Sequence, residues 1–204
     1  MVCDGMQISF NGHPLRHRRH VGAIQQGWIS LATQIIELDA PAIEKHVAAL
    51  SLILADSVAQ GAAISFMAPL ALDDAACFWT ESVMPEVAAG RRAVFGAEHA
   101  GELVGTVQLI TALPPNQPHR CEIAKMIVHP RARRLGIGRA LIRSALDRAR
   151  QLGKTLVTLD TRTGDVALPL YAGVGFEVAG VIPDYAWNPD GQATHATTYM
   201  FCRI

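Results

Sequence analysis

The chain has 204 residues, 50% hydrophobic and 18% charged, with a formal net charge of +0. That length buries a sizeable core and fits one globular domain. Neutrality gives no global argument for nucleic acid or a membrane surface as partner. The longest apolar run, Val47 to Leu54, is broken by Ser51 and is far too short to span a bilayer. The four cysteines (Cys3, Cys77, Cys121 and Cys202) are scattered, with no CxxC and no histidine at metal spacing. Reduced, mostly buried thiols in a cytoplasmic protein are expected, and no metal.

Residues 1–30 lack periodicity and read as an extension, mobile or loosely packed, ahead of a domain over residues 31–204. His13, His17 and His20 have no partners at ligand spacing, and no apolar h-region suggests a signal peptide. Gln34 to Leu38 is a short strand. From Pro41, Ile43, Val47, Leu50, Leu54 and Val58 recur at helical steps and stop at Gly61. Asp73 or Asp74 can cap a second helix with Trp79 and Val83 on one face, perturbed by Pro85 and closed by Gly90. A hairpin follows, Arg92–Glu98 and Glu102–Ala112, turning at His99–Gly101.

After the loop Pro114–Pro118 comes the most informative stretch. Glu122–Val128 is a strand, Arg131–Gly138 a basic turn with two glycines, and Ile137–Leu152 a helix with an apolar stripe. Arginines crowd this segment, and Asp147 is the only acid between Lys125 and Arg150. A strand that runs through such a loop into a helix N-terminus suits a small phosphorylated ligand. Thr155–Asp160 is a further strand. Asp165 can cap a short helix through Tyr171, made irregular by Pro169, and Phe176–Val181 and Thr194–Cys202 close the chain as strands. The order β-α-α-β-β-β-α-β-α-β-β describes a mixed α/β (α+β) domain with one sheet.

Two phosphate ligands compete. A dinucleotide site would use Gly136-x-Gly138 with Asp160 on the ribose, but the third glycine position holds Leu141 and seven residues separate strand from turn. The better match is elsewhere. Arg133-Arg134-Leu135-Gly136-Ile137-Gly138 resembles the pyrophosphate loop of the GNAT superfamily of N-acetyltransferases. Met126-Ile127-Val128-His129-Pro130 before it, and Leu170-Tyr171 and Gly175-Phe176 after it, strengthen that resemblance.

The resemblance implies the GNAT fold: a mostly antiparallel sheet of six to seven strands, splayed between the fourth and fifth, with about four helices. It implies acetyl-CoA as co-substrate, with Arg133, Arg134, Leu135, Gly136, Ile137, Gly138 and Arg139 around its phosphates. Met126, Ile127 and Val128 would lie along the pantetheine arm, the Met126 N–H polarising the thioester carbonyl. Tyr171 would be the general acid, and Glu122 or His119 the base. Glu122 shares strand parity with Met126 and Val128, and so would face the same cleft. Cys121 has the opposite parity and would face away from the cofactor. The C-terminal third also resembles a bacterial small-molecule acetyltransferase subgroup active on an amino-acid toxin, placing Asp160, Thr161, Asp184 and Tyr185 near the acceptor. The activity implied is direct acetyl transfer to an amine or hydroxyl of a small polar molecule, with a homodimer allowed. A CoA-binding sensor without turnover and a protein N-acetyltransferase are the alternatives.

Overall fold

A computed structural model describes residues 32–204. The extension 1–30, with Cys3 and His13, His17 and His20, lies outside them. One sheet of seven strands forms the frame, in the order β1-β2-β3-β4-β5-β7-β6. The strands are β1 (Gln34–Glu37), β2 (Arg92–His99), β3 (Glu102–Ile110), β4 (Arg120–Val128), β5 (Leu156–Arg162), β6 (Glu177–Trp187) and β7 (Thr194–Arg203). All neighbours are antiparallel except β4 and β5, which are parallel.

Helix α1 (Ala40–Ala59) starts at Asp39, whose carboxylate accepts the Ala42 N–H. Its stripe of Ile43, Leu50, Ile53, Leu54 and Val58 is buried, while Leu52 on the opposite side is 45% exposed. Val47–Leu54 is thus one length of an amphipathic helix rather than an enclosed one. The second helix runs as α2 (Leu72–Cys77), a π-helical stretch Phe78–Val83, and α3 (Met84–Ala88). Asp73 and Asp74 lie within its first turn, not at the cap, which is Ala71. The π stretch, with Met84 N–H donating to Trp79 O, comes immediately before Pro85, which cannot donate a helical hydrogen bond.

Helix α4 (Ile137–Gln151) covers the other face of the sheet, and α5 (Leu168–Ala172) packs beside it. Asp165 accepts the Ala167 N–H at 3.0 Å. Pro169 falls in the first turn of α5, where no N–H is needed, so it starts the helix instead of distorting it. Burial does not alternate along β3: Leu103–Leu109 is buried throughout, because α1 and α4 cover both faces there. β6 continues six residues past Val181 through Pro183, which an edge strand with a register shift tolerates.

The two faces have separate cores. One gathers around α4 with Val107, Leu109, Cys121, Ile123 and Leu159. The other joins α1 to Trp79, Val94, Leu103 and Ile127. β4 contributes to both, for a reason that matters to the site. Thr106 pairs with Ile127 but Gln108 with Ala124, so Lys125 and Met126 both stand opposite Val107. This is a β-bulge, with Lys125 at φ +48.

Candidate functional site

The bulge corrects the parity read from the sequence. With one extra residue, Glu122 and Ala124 share a face with Ile127, while Cys121 and Ile123 share one with Met126 and Val128. Glu122 therefore faces the α1 side and Met126 the α4 side. Cys121 does not face away from Met126; it is buried in the α4 core, and that burial lifts its thiol pKa to about 11. It is a protonated, packed thiol rather than a nucleophile. Cys202 is buried as well, whereas Cys77 is exposed.

On the α4 side, the chain leaves β4 through a short 3₁₀ turn, Pro130–Ala132. His129 Nδ1 accepts the Arg131 N–H, which puts the ring proton on Nε2, 3.0 Å from Asp56 Oδ2 on α1. Arg133 Nε donates to Val128 O at 3.2 Å, tying the loop back to the strand end. Arg134 and Gly136 are both left-handed, at φ +65 and +78. Gly136 is the N-cap of α4 and a Cβ there would meet nothing within 4 Å, so the helix N-terminus is open to an approaching anion.

Gly138 has the opposite environment. A Cβ at this position would lie 3.0 Å from Leu170 Cδ2, 3.7 Å from Met126 Sδ and 3.8 Å from Val128 Cγ2. The first turn of α4, the end of β4 and the start of α5 therefore converge at one point. Leu135 is exposed, but Ile137 and Ile127 are buried, leaving only their backbone for a ligand. Arg139 Nη1 donates to Gly173 O and braces α5 against α4. Tyr171, next to Leu170, is 5% exposed and packs edge-to-face on Phe176. Burial, with the negative fields of Asp165 and Asp160, pushes its hydroxyl well above the usual phenol range, so it holds its proton.

The parallel pairing of β4 with β5 covers only Arg120–Glu122 against Leu156–Thr158. Beyond that rung the two strands separate, which is the expected splay. At the rung, on the face away from α4, a cavity of about 150 Å³ is lined by Arg120, Glu122, Thr158, Asp160, Tyr199 and Phe201, among others. Glu122 Oε2 lies 3.6 Å from Arg120 Nη1. Burial raises the Glu122 pKa above the usual carboxylate value, Arg120 opposing and Asp160 adding. Across the groove, the loop from Gly61 to Ala71 reaches the β6–β7 turn, where Ala68 N–H donates to Pro189 O at 2.8 Å.

The other candidate residues divide. Asp160 faces the cavity, and Tyr185 reaches it through a 2.7 Å hydrogen bond to Tyr199. Thr161, one residue out of phase, pairs with Thr198 on the α4 face. Asp184 accepts from Thr194 Oγ1 on the outer hairpin. His119 is exposed before the start of β4, its carbonyl serving Thr155 and Leu156, and seven residues of strand put it roughly 20 Å from Met126. Arg120, Thr158 and Tyr199 were not singled out in the sequence. Their signal is phase: Thr158 shares parity with Asp160, and the register puts Tyr199 beside Asp160. Among the described residues no group of His, Cys, Asp and Glu is arranged to hold a metal, and no helix is long and apolar enough to cross a membrane.

Residues 65–176 match the acetyltransferase (GNAT) family, and the chain belongs to it. Rat N-acetyltransferase 8B is 33% identical over 108 residues, 52% of this chain and 49% of that protein. The N-alpha-acetyltransferase RimI of Mycobacterium tuberculosis is 38% identical over 97 residues, 47% of this chain and 59% of that protein. The chain thus aligns with about half the length of each. Among solved structures, yncA of Salmonella typhimurium, determined with its cofactor acetyl-CoA, superposes with a TM-score of 0.69 at 22% identity, covering 84% of this chain and 94% of that one. At that identity the likeness establishes the fold.

Proposed function

We propose that the chain transfers an acetyl group from acetyl-CoA to an amine of a small polar molecule, directly and within a ternary complex. The observation that carries this reading is the convergence at Gly138 of an open helix N-terminus, the splayed end of β4 and the Tyr171 helix, with Glu122 at the last paired rung on the acceptor side. The fit to CoA is physical. The left-handed Arg134 and Gly136 shape a concavity of N–H groups for a pyrophosphate, and the strand separation leaves β4 backbone for an amide-bearing arm.

Acetyl-CoA supplies the activated thioester. The Met126 N–H polarises its carbonyl. Glu122, with its pKa raised, takes the proton of the acceptor amine, directly or through one water. Tyr171, kept protonated by burial, donates to the leaving thiolate. His119 has no part, since it sits at the other end of β4. Arg133 and Arg139 act first as braces for the loop and for α5, and Arg134 faces solvent beside the phosphate cradle. The test is release of free CoA thiol from acetyl-CoA across a broad amine panel. Binding of acetyl-CoA without turnover on any amine would instead favour a sensor role.

A second reading, acetylation of a protein N-terminus, is favoured by the similarity to RimI. Peptide N-termini in the same panel separate the two: preferential turnover of peptides would displace the small-molecule reading.

A further inference from the structure

Between β4 and α4 the chain holds two left-handed residues, Arg134 and Gly136. A left-handed arginine costs energy and persists only where its surroundings impose it. Residues 133–136 are all exposed, so that constraint comes from the two ends of the loop and not from packing on its middle. At the far end, Ile137 is buried and α4 begins. At the near end stands His129, the residue that follows β4 and caps the 3₁₀ turn Pro130–Ala132.

All four polar groups of His129 are engaged. Its N–H donates to Val104 O on β3 at 2.8 Å, and its carbonyl accepts the Ala132 N–H at 2.8 Å. On the ring, Nδ1 accepts the Arg131 N–H at 3.3 Å and Nε2 donates to Asp56 Oδ2 at 3.0 Å. The side chain is only 13% exposed. The ring therefore has one orientation, and turning it away from Asp56 would also free the Arg131 N–H. Asp56 lies near the C-terminal end of α1, where the helix carbonyls disfavour a negative charge and no basic residue in the last turn offsets it. Its helix covers the face of the sheet opposite α4. The other ion pair of this turn, Arg131 with Glu102, has both side chains more than half exposed and contributes little.

We propose that Asp56, acting through His129, is a positioning residue for the cofactor loop. The carboxylate fixes the imidazole, the imidazole fixes the Arg131 N–H and the exit from β4, and Arg134 to Gly136 are thereby shaped for a pyrophosphate before it arrives. Preorganisation of this kind strengthens binding by removing the ordering that the ligand would otherwise impose. This rests on the acetyl-CoA reading of the α4 face and deepens it. Part of the affinity for the phosphates is set by a side chain of α1, on the other side of the sheet, that touches no part of the cofactor.

The experiment measures acetyl-CoA affinity by calorimetry on the full chain, with a thermal melt of each variant beside it. Asp56→Ala removes the tie at one end. His129→Asn removes it at the other, because the asparagine Oδ1 stands where Nδ1 stood and still accepts the Arg131 N–H but does not reach Asp56. Each should weaken acetyl-CoA by roughly 5- to 10-fold. The double variant should lose no more than either single one, since both break the same tie. Asp56→Asn, whose amide oxygen still accepts from Nε2, should keep most of the affinity, and Glu102→Gln should stay within about a factor of two of the parent. Parent affinity in Asp56→Ala and His129→Asn overturns the proposal, and a lowered melting temperature alongside it marks the pair as a structural tie alone. Losses that multiply in the double variant overturn it as well, because the two side chains then act separately. A Glu102→Gln loss as large as that of Asp56→Ala does the same, since the charge on the turn would then set the affinity. In each of these cases the cofactor reading stands. A parent chain that does not bind acetyl-CoA overturns both.

Discussion

The two faces of the sheet around β4 are built from the same strand but by different physics. On the α4 face, backbone does the work: left-handed residues, a helix N-terminus and a glycine with no room for a side chain. On the α1 face, side chains do it: Glu122 and Lys125 sit partly out of water, and Arg120 and the exposed Asp160 act on the Glu122 carboxyl. A site made of backbone is indifferent to most side-chain changes but fails outright when one atom is added in the wrong place. A site made of charges is tuned gradually, residue by residue.

That contrast orders the outcomes of mutation. Gly138→Glu should have the largest effect, because the new side chain and its negative charge would be driven against Leu170, Met126 and Val128, where the first turn of α4, the end of β4 and α5 converge. Acetyl-CoA affinity should fall by on the order of 100-fold or more, read by calorimetry, and unchanged affinity would remove Gly138 from the cofactor site. Tyr171→Phe keeps the ring packed on Phe176 and should lower kcat by about 100-fold with cofactor affinity intact. Near-normal turnover at every pH would mean the phenol is only core.

Glu122→Gln should lower kcat/KM by roughly 10- to 100-fold and abolish the rise of rate with pH on the acid limb. A limb that survives would assign the base to another group. The same variant bears on stability. Burial raises the Glu122 pKa in the folded chain, so its ionisation opposes folding once pH exceeds the ordinary carboxylate range. Glu122→Gln should therefore be slightly more stable than the parent at neutral pH, with the gap closing in acid; thermal melts at several pH values check this. The smallest effect belongs to His119→Ala, which should leave kcat/KM within about a factor of three, since the residue lies at the far end of the strand.

Much of this was legible in the residues. The basic glycine loop, the helix behind it and the Tyr171 helix pointed to the fold and to the proposed cofactor face, because backbone requirements leave glycine and proline signatures at fixed spacing. The proposed acceptor face was harder to read. Its members come from β4, β5 and β7 and meet only through register, so Tyr199 and Arg120 have no local signature. The bulge was invisible as well: Lys125 takes a left-handed conformation that a lysine rarely adopts, and nothing nearby announces it. One unseen residue was enough to invert the expected facing of Glu122 and Cys121.

That single extra residue has a consequence for how the two halves of β4 can respond to change. Upstream of Lys125, alternate residues of β4 face the groove; downstream, the phase is reset and alternate residues face the α4 side. The two halves of one strand are thereby uncoupled. On the proposed function, residues before the bulge would answer to the acceptor and those after it to the cofactor. Deleting one residue there would restore plain alternation and rotate the Glu122 carboxylate into the hydrocarbon under α4, so the bulge acts as a phase shifter between the two halves of the strand.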